Sequence, residues 1–269
     1  MLIDERIGFI GIGNMGEALL RGIIVSKLIM PSLIYASDVD KKKLEKLAVD
    51  LGINALENNQ ELAKRCDIIL LAVKPDIVKI VLPQISDSLI SPKWIISIAA
   101  GVSTSVIESF LPSETPVVRV MPNTPAMVGE GMSAISAGSY ANDGHLEKAR
   151  QIFNAVGKTI IVQEKLMDVV TALSGSGPAY VFLIIEALTD AGVQLGLSRQ
   201  DSLLMATQTV FGSSKMLLET NEHPAVLKNK VTSPGGTTAA GLYELEKKGV
   251  RSAIIDAVIS ATNRSKQLS

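Results

Sequence analysis

The segment Gly8-Phe9-Ile10-Gly11-Ile12-Gly13-Asn14-Met15-Gly16 constrains this chain more than any other. The run Arg6–Ile10 reads as a strand, and the glycine turn that ends it opens a helix from Met15 to about Ser26. Gly11 permits the tight turn, Gly13 lets backbone approach a pyrophosphate, and Gly16 lets the helix pack close to the sheet. An anion then sits on the helix N-terminus. In that strand–turn–helix setting the glycines predict a dinucleotide site.

The next stretch extends the pattern. Leu33–Ser37 reads as a second strand closed by Asp38, where a carboxylate accepts from a ribose 2′-OH, favours NAD and repels a 2′-phosphate. Ser37 and the run Lys41-Lys42-Lys43 could still hold a phosphate, or the lysines could be a solvated helix face, so coenzyme preference stays open. Lys41–Leu51 is helical in period, with Leu44, Leu47, Ala48 and Leu51 on one face. Ile68–Val73 and Trp94–Ala99 are continuous apolar runs, as parallel strands buried on both faces require, and Val117–Val120 reads as another strand. The alternation predicts an α/β Rossmann domain, doubly wound with a mainly parallel sheet, over residues 1–163.

Beyond that point almost nothing reads as strand. Lys165–Leu173, Ala179–Leu195, Arg199–Thr220, Ala225–Val231, Thr238–Lys248 and Arg251–Lys266 are helical in period or propensity, so residues 164–269 are expected to form an all-α domain. Ala179–Leu195 is apolar almost all round, broken by Glu186, Asp190 and Gln194. Such a helix has to be buried on every side. Either a compact bundle or a partner subunit must cover it, and so small a domain favours the partner.

Three further loops leave the C-terminal ends of strands, where ligands bind in such sheets. They are Ala72-Val73-Lys74-Pro75, Ala99-Ala100-Gly101, and the proline-stiffened Met121-Pro122-Asn123-Thr124-Pro125. Their recurrence on one edge points to a cofactor cleft. The helical half adds Ser174-Gly175-Ser176-Gly177-Pro178-Ala179-Tyr180 and Thr232-Ser233-Pro234-Gly235-Gly236-Thr237-Thr238, both at helix starts. Successive N–H groups and hydroxyls in the second make a nest suited to a carboxylate, although a plain N-cap with flexible glycines has the same composition.

Composition removes other classes. A net charge of −1 and 4% aromatics over 269 residues argue against a basic groove with stacking platforms for nucleic acid. Cys66 is the only cysteine, which rules out an intrachain disulfide and suggests a reducing cytoplasm; it reads as packing at a strand entrance. Asp4, Glu5 and Arg6 argue against a cleavable signal, and apolar runs such as Ala179–Ile185 fall short of the ~20 residues of a membrane span. His145 and His223 lie in no metal or triad spacing; the first is expected exposed in a polar turn, the second capping one. Glu164 and Glu186 read as a domain-boundary charge and a paired helix residue.

With GFIGIGNMG, AVKP, SIAAG, RVMPNTPA, LSGSGPAY and EHPAVLKNKVTSPGGTT in this order and spacing, the chain resembles the pyrroline-5-carboxylate reductase family essentially end to end. The resemblance implies a Rossmann domain followed by a helical domain that interlocks with a second subunit, with an oligomer of such dimers also open. It implies hydride transfer from NAD(P)H to C5 of 1-pyrroline-5-carboxylate, giving L-proline. A protonated cyclic imine is already electrophilic, so positioning replaces a strong general acid and histidines are dispensable.

Cofactor contacts carried over are Gly11, Gly13, Asn14, Met15, Gly16, Asn59, Ala72, Val73, Lys74, Pro75, Ala99, Ala100, Gly101 and Asn123, beside Ser37 and Asp38. The substrate carboxylate falls to Ser233, Gly235, Gly236, Thr237 and Thr238, with the Thr238 hydroxyl on the ring nitrogen. Members that use NADPH commonly end the second strand with serine or arginine; Asp38 departs from this, so NADPH is expected with NADH kept open. A β-hydroxyacid dehydrogenase is the enzymatic alternative, but it carries a catalytic lysine on the interdomain helix and Ala179–Leu195 has none. A non-catalytic dinucleotide sensor would have no use for the Thr232–Thr238 nest.

Overall fold

The computed structural model describes residues 3–90 and 92–268, and in it the apolar runs pair into one sheet. Its strands are β1 (Ile7–Ile10), β2 (Ile34–Ser37), β3 (Asn54–Ala55), β4 (Ile68–Leu71), β5 (Trp94–Ser97), β6 (Val117–Met121), β7 (Gly131–Ala137) and β8 (Gly157–Ile161), in the order β3-β2-β1-β4-β5-β6-β7-β8. All neighbours are parallel except β6 and β7. Ile10 pairs with Ser37 on one side and Leu71 on the other, so β1, β2 and β4 end level. The order reverses between β1 and β4, which opens a crevice at those ends.

Six helices accompany the strands: α1 (Asn14–Val25), α2 (Lys41–Leu51), α3 (Asn59–Arg65), α4 (Pro75–Ile85), α5 (Thr104–Glu108) and α6 (Asp143–Asn154). Alternate strand residues feed two apolar layers. Ile7, Phe9, Leu70 and Ile96 pack with Leu19, Leu20 and Ile152. Ile10, Ile69, Leu71 and Ile95 pack with Leu62, Val78 and Leu82. His145 is not the exposed turn residue expected from its neighbours. It forms a capping box at α6, its Nδ1 accepting from Asn142 N–H at 3.1 Å, with its ring centroid 5.1 Å from that of Trp94. Burial lowers its pKa.

Two compact units result, Met1–Ser176 with Ala261–Ser269, and Gly177–Ser260. The residues just after 163 belong to the first because of Glu164. Its carboxylate accepts from Thr104 N–H at 2.7 Å and Thr104 Oγ1 at 2.6 Å, and pairs with the buried Arg119 at 3.3 Å. Glu164 is therefore a clasp on the start of α5. The short α7 (Met167–Val170) follows, then a π-helical turn over Thr171–Gly175.

The other unit holds α8 (Gly177–Gln194), α9 (Arg199–Thr220), α10 (Pro224–Lys230), α11 (Thr237–Lys247) and the start of α12 (Val250–Leu268). α8 lies along α9, where Ser202 Oγ donates to the Thr189 carbonyl at 2.7 Å. Thr189 is the one buried residue of α8, whereas Phe182 and Leu183 are 64% and 65% exposed. A single chain thus leaves uncovered the helix that its composition says must be covered. The stretch Glu164–Gln194 is also long and apolar enough to cross a membrane by length and composition, which corrects the shorter runs read from sequence. Isolated polar residues interrupt those runs without making the stretch polar.

Cys66 closes α3 against β4 and is fully buried, and burial pushes its thiol up to about 12 from an ordinary 9.0. A raised thiol pKa favours the neutral form, so this group's contribution is intact below the unfolded value and lost as pH rises through the folded one. Urea melts should show stability declining between pH 9.0 and about 12, and Cys66→Ala should flatten that decline. Equal slopes in the two proteins would contradict it.

Candidate active site

At the end of β1 the chain turns through Gly11, whose φ of +95° suits glycine. A Cβ there would stand 2.7 Å from the Ala72 carbonyl oxygen at the end of β4, and one on Gly16 would stand 2.5 Å from the Gly11 carbonyl. One on Gly13 would meet nothing within 4 Å. The three glycines thus have separate jobs: the first and third let backbone close up, and the second faces open space.

Two bonds pin the turn to β2. Gly11 N–H donates to the Ser37 carbonyl at 2.9 Å, and Ile12 N–H donates to Asp38 Oδ2 at 2.6 Å. The other carboxylate oxygen of Asp38 accepts from Asp40 N–H at 2.8 Å. The first helical bond of α1 runs from Glu17 N–H to the Gly13 carbonyl at 2.9 Å, so the N–H groups of Asn14, Met15 and Gly16 lie ahead of it. Gly13 caps the helix without a side chain. The result is an anion-ready helix start with nothing of its own filling it.

Gly11, Gly13, Ser37, Asp38, Asn59, Ala72, Val73 and Lys74 line one cavity of about 710 Å³, within the range of small-molecule sites. Asn59 is held rigidly, accepting from Ser37 Oγ at 2.7 Å and donating to Gln84 Oε1 at 2.9 Å. Lys43 reaches back to the Ile12 carbonyl at 2.7 Å and to Glu17 at 2.9 Å, so it supports the turn. Pro75, Ala100 and Gly101 line a second cavity of about 380 Å³, and Ala99 is buried beside them. Met15 turns its side chain onto the core, leaving only its backbone for a ligand. Asn123 faces neither cavity: its Oδ1 accepts from Met132 N–H at 2.8 Å and its Nδ2 donates to the Ser174 carbonyl at 3.2 Å. Ile77, Val81 and Gln84 of α4 also line the first cavity; only periodicity could have found them, because they are ordinary helix residues.

In the helical unit, Ser233–Thr238 forms a turn into α11, with Gly235 at φ +66°. The first bond of α11 joins Ala240 N–H to the Gly236 carbonyl at 3.2 Å, leaving the N–H groups of Thr237, Thr238 and Ala239 ahead of it. Ser233 Oγ stands so close to Gly236 that a Cβ there would clash with it, so hydroxyl and backbone donors are concentrated in one turn. His223 caps α10, accepting from Ala225 N–H at 3.2 Å, and Glu222 pairs with Lys230 at 2.6 Å. Among the described residues no group of His, Cys, Asp and Glu is placed to hold a metal ion.

Residues 164–268 match the family described as pyrroline-5-carboxylate reductase dimerisation, and residues 6–101 match NADP oxidoreductase coenzyme F420-dependent. The chain is 47% identical to the pyrroline-5-carboxylate reductase of Methanosarcina acetivorans, over 98% of both chains. A solved pyrroline-5-carboxylate reductase from Coxiella burnetii matches with a TM-score of 0.95 and 38% identity over 99% of each chain. The Plasmodium falciparum pyrroline carboxylate reductase with NADP bound matches with a TM-score of 0.88 and 40% identity, over 100% of this chain and 99% of that one.

The glycine geometry separates binding from folding. Gly13→Ala should leave the melting temperature unchanged and weaken dinucleotide binding about tenfold or more, its methyl occupying ligand space. Gly16→Ala should lower the melting temperature. Calorimetric titration beside thermal melts distinguishes the two, and a Gly13→Ala protein that binds like wild type would refute the assignment.

Proposed function

Because the chain belongs to the pyrroline-5-carboxylate reductase family, we infer that it reduces the C=N bond of 1-pyrroline-5-carboxylate to L-proline with a nicotinamide dinucleotide. The observation that carries this is likeness over the whole length, from the turn at Gly11 to the turn at Thr238. The dinucleotide, when bound, supplies the hydride. What the chain supplies is placement. The open N–H groups of Asn14, Met15 and Gly16 receive the pyrophosphate, and the Ser37–Asn59 pair fixes the wall beside the ribose. Ala72–Pro75 and Ala99–Gly101 border the remainder of the dinucleotide, and Asn123 holds the loop behind it. Ser233, Gly235, Gly236, Thr237 and Thr238 take the substrate carboxylate on backbone donors, and the Thr238 hydroxyl bonds the ring nitrogen. Residues 1–163 serve the cofactor, and residues 164–269 serve self-association and the substrate.

NADPH is the expected coenzyme and NADH an accepted one. Both carboxylate oxygens of Asp38 already hold backbone N–H groups, which gives it a structural reason to be present whichever coenzyme binds. An interlocked dimer accounts for the exposed flank of α8, as the match to a dimerisation family over residues 164–268 supports. On this reading α8 packs against protein rather than lipid, and we infer a cytoplasmic enzyme.

Imine-dependent oxidation of NADPH and NADH, followed side by side, tests the reaction. Thr238→Ala should lower kcat on the order of 10²–10³-fold, by analogy with a lost oxyanion donor, and leave dinucleotide affinity unchanged. Turnover equal to wild type would remove Thr238 from the mechanism. Asp38→Asn keeps an acceptor for Ile12 N–H and removes the charge. It should raise the NADPH-to-NADH ratio of kcat/KM about tenfold; an unchanged ratio would show that Asp38 does not read the 2′ position.

A further inference from the structure

The second cavity has a wall that no sequence motif marks. Pro75, Ala100 and Gly101 bound it on the sheet side and Thr171 and Ser176 on the side of the π-helical turn. Ala261 and Ser265, near the end of α12, close it. Pro75 follows Lys74 of the first cavity, so the two spaces lie on either side of the loop that leaves β4. A dinucleotide at a switch point places one half on each side of it. The first cavity contains Asp38 and the end of β2, which suits the adenosine ribose, so the cavity at β4 and β5 falls to the nicotinamide ring. This step rests on the function inferred above.

The third wall is fastened in place. Ser265 is buried, and its Oγ donates to Asp168 Oδ1 at 2.6 Å. Asp168 lies on α7, immediately before the π-helical turn, where Thr171 Oγ1 donates to the Met167 carbonyl at 2.8 Å and Ser176 N–H to the Thr171 carbonyl at 2.8 Å. A π turn inserts an extra residue into a helix and is frequently found at functional positions. Here it presents Thr171 and Ser176 to the cavity while Asp168 grips α12. We propose that Ala261–Leu268 forms the outer wall of the nicotinamide-ring pocket, with Ser265, held by Asp168, as the positioning residue that fixes ring placement.

Ala261→Phe fills the pocket without touching the first cavity. Calorimetry should show ADP-ribose binding within about twofold of wild type, while the intact oxidised dinucleotide binds about tenfold more weakly. Ser265→Ala should lower kcat for imine reduction about tenfold at nearly unchanged dinucleotide affinity, because loosening a wall spoils alignment more than binding. Ser265→Thr, which keeps the hydroxyl, should restore it. If Ala261→Phe binds both ligands as wild type does, or loses both in parallel, the wall is wrongly assigned. Equal kcat in the Ser265→Ala and wild-type proteins would likewise remove the positioning role. Should wild type bind dinucleotide yet never reduce the imine, the functional reading fails, and the ADP-ribose contrast still decides the wall.

Discussion

Three backbone segments meet at the end of β1, and how closely they approach decides what the rest can be. The Ala72 carbonyl comes within 2.7 Å of where a Gly11 side chain would begin, and the Gly11 carbonyl within 2.5 Å of where one on Gly16 would. No other residue type permits both contacts without moving β4 or α1. Hydrogen bonds from Gly11 and Ile12 to β2 and Asp38 then fix the turn laterally. The level ends of β1, β2 and β4 follow from the same register, and Gly13, which caps α1, lines the cavity at those ends.

Much of this was legible in advance because its causes are local. A GxGxxG between an apolar strand and a helix carries its own geometry, and Lys41–Leu51 and Arg199–Thr220 have the bounds read from their periodicity. The strands β7 and β8 were not legible. Gly131–Ala137 reads Gly-Met-Ser-Ala-Ile-Ser-Ala, with small residues of low strand propensity, and it is held as a strand by pairing with β6 and β8. The π-helical turn was equally invisible, since Thr171–Gly175 differs from an α-helical stretch only in which carbonyl each N–H finds. Side chains whose surroundings come from far along the chain were not legible from their neighbours: Trp94 packs on His145, and Thr104 meets Glu164. His145 serves a capping box and Glu164 a clasp on α5, neither of which a polar sequence context reveals.

Those side chains also explain the character of the site. Glu164, His145 and His223 are occupied by backbone N–H groups, as caps and clasps. The turns Ala99–Gly101 and Ser233–Thr238 carry no titrating side chain and offer backbone donors and hydroxyls instead. A reaction whose substrate is already electrophilic needs alignment and exclusion of water more than proton transfer, and this chain's chemistry is distributed accordingly.

The exposed flank of α8 has a thermodynamic consequence. Phe182 and Leu183 are left to water by the single chain, so an association that covered them, as inferred above, would contribute to the stability of the fold itself. Folding and assembly would in that case form one linked equilibrium, with the apparent stability a function of how much protein is present. Each tenfold dilution of subunits removes about 1.4 kcal/mol from a dimer. A cell that makes little of this protein would therefore hold a less durable version of it than one that makes much, from the same sequence.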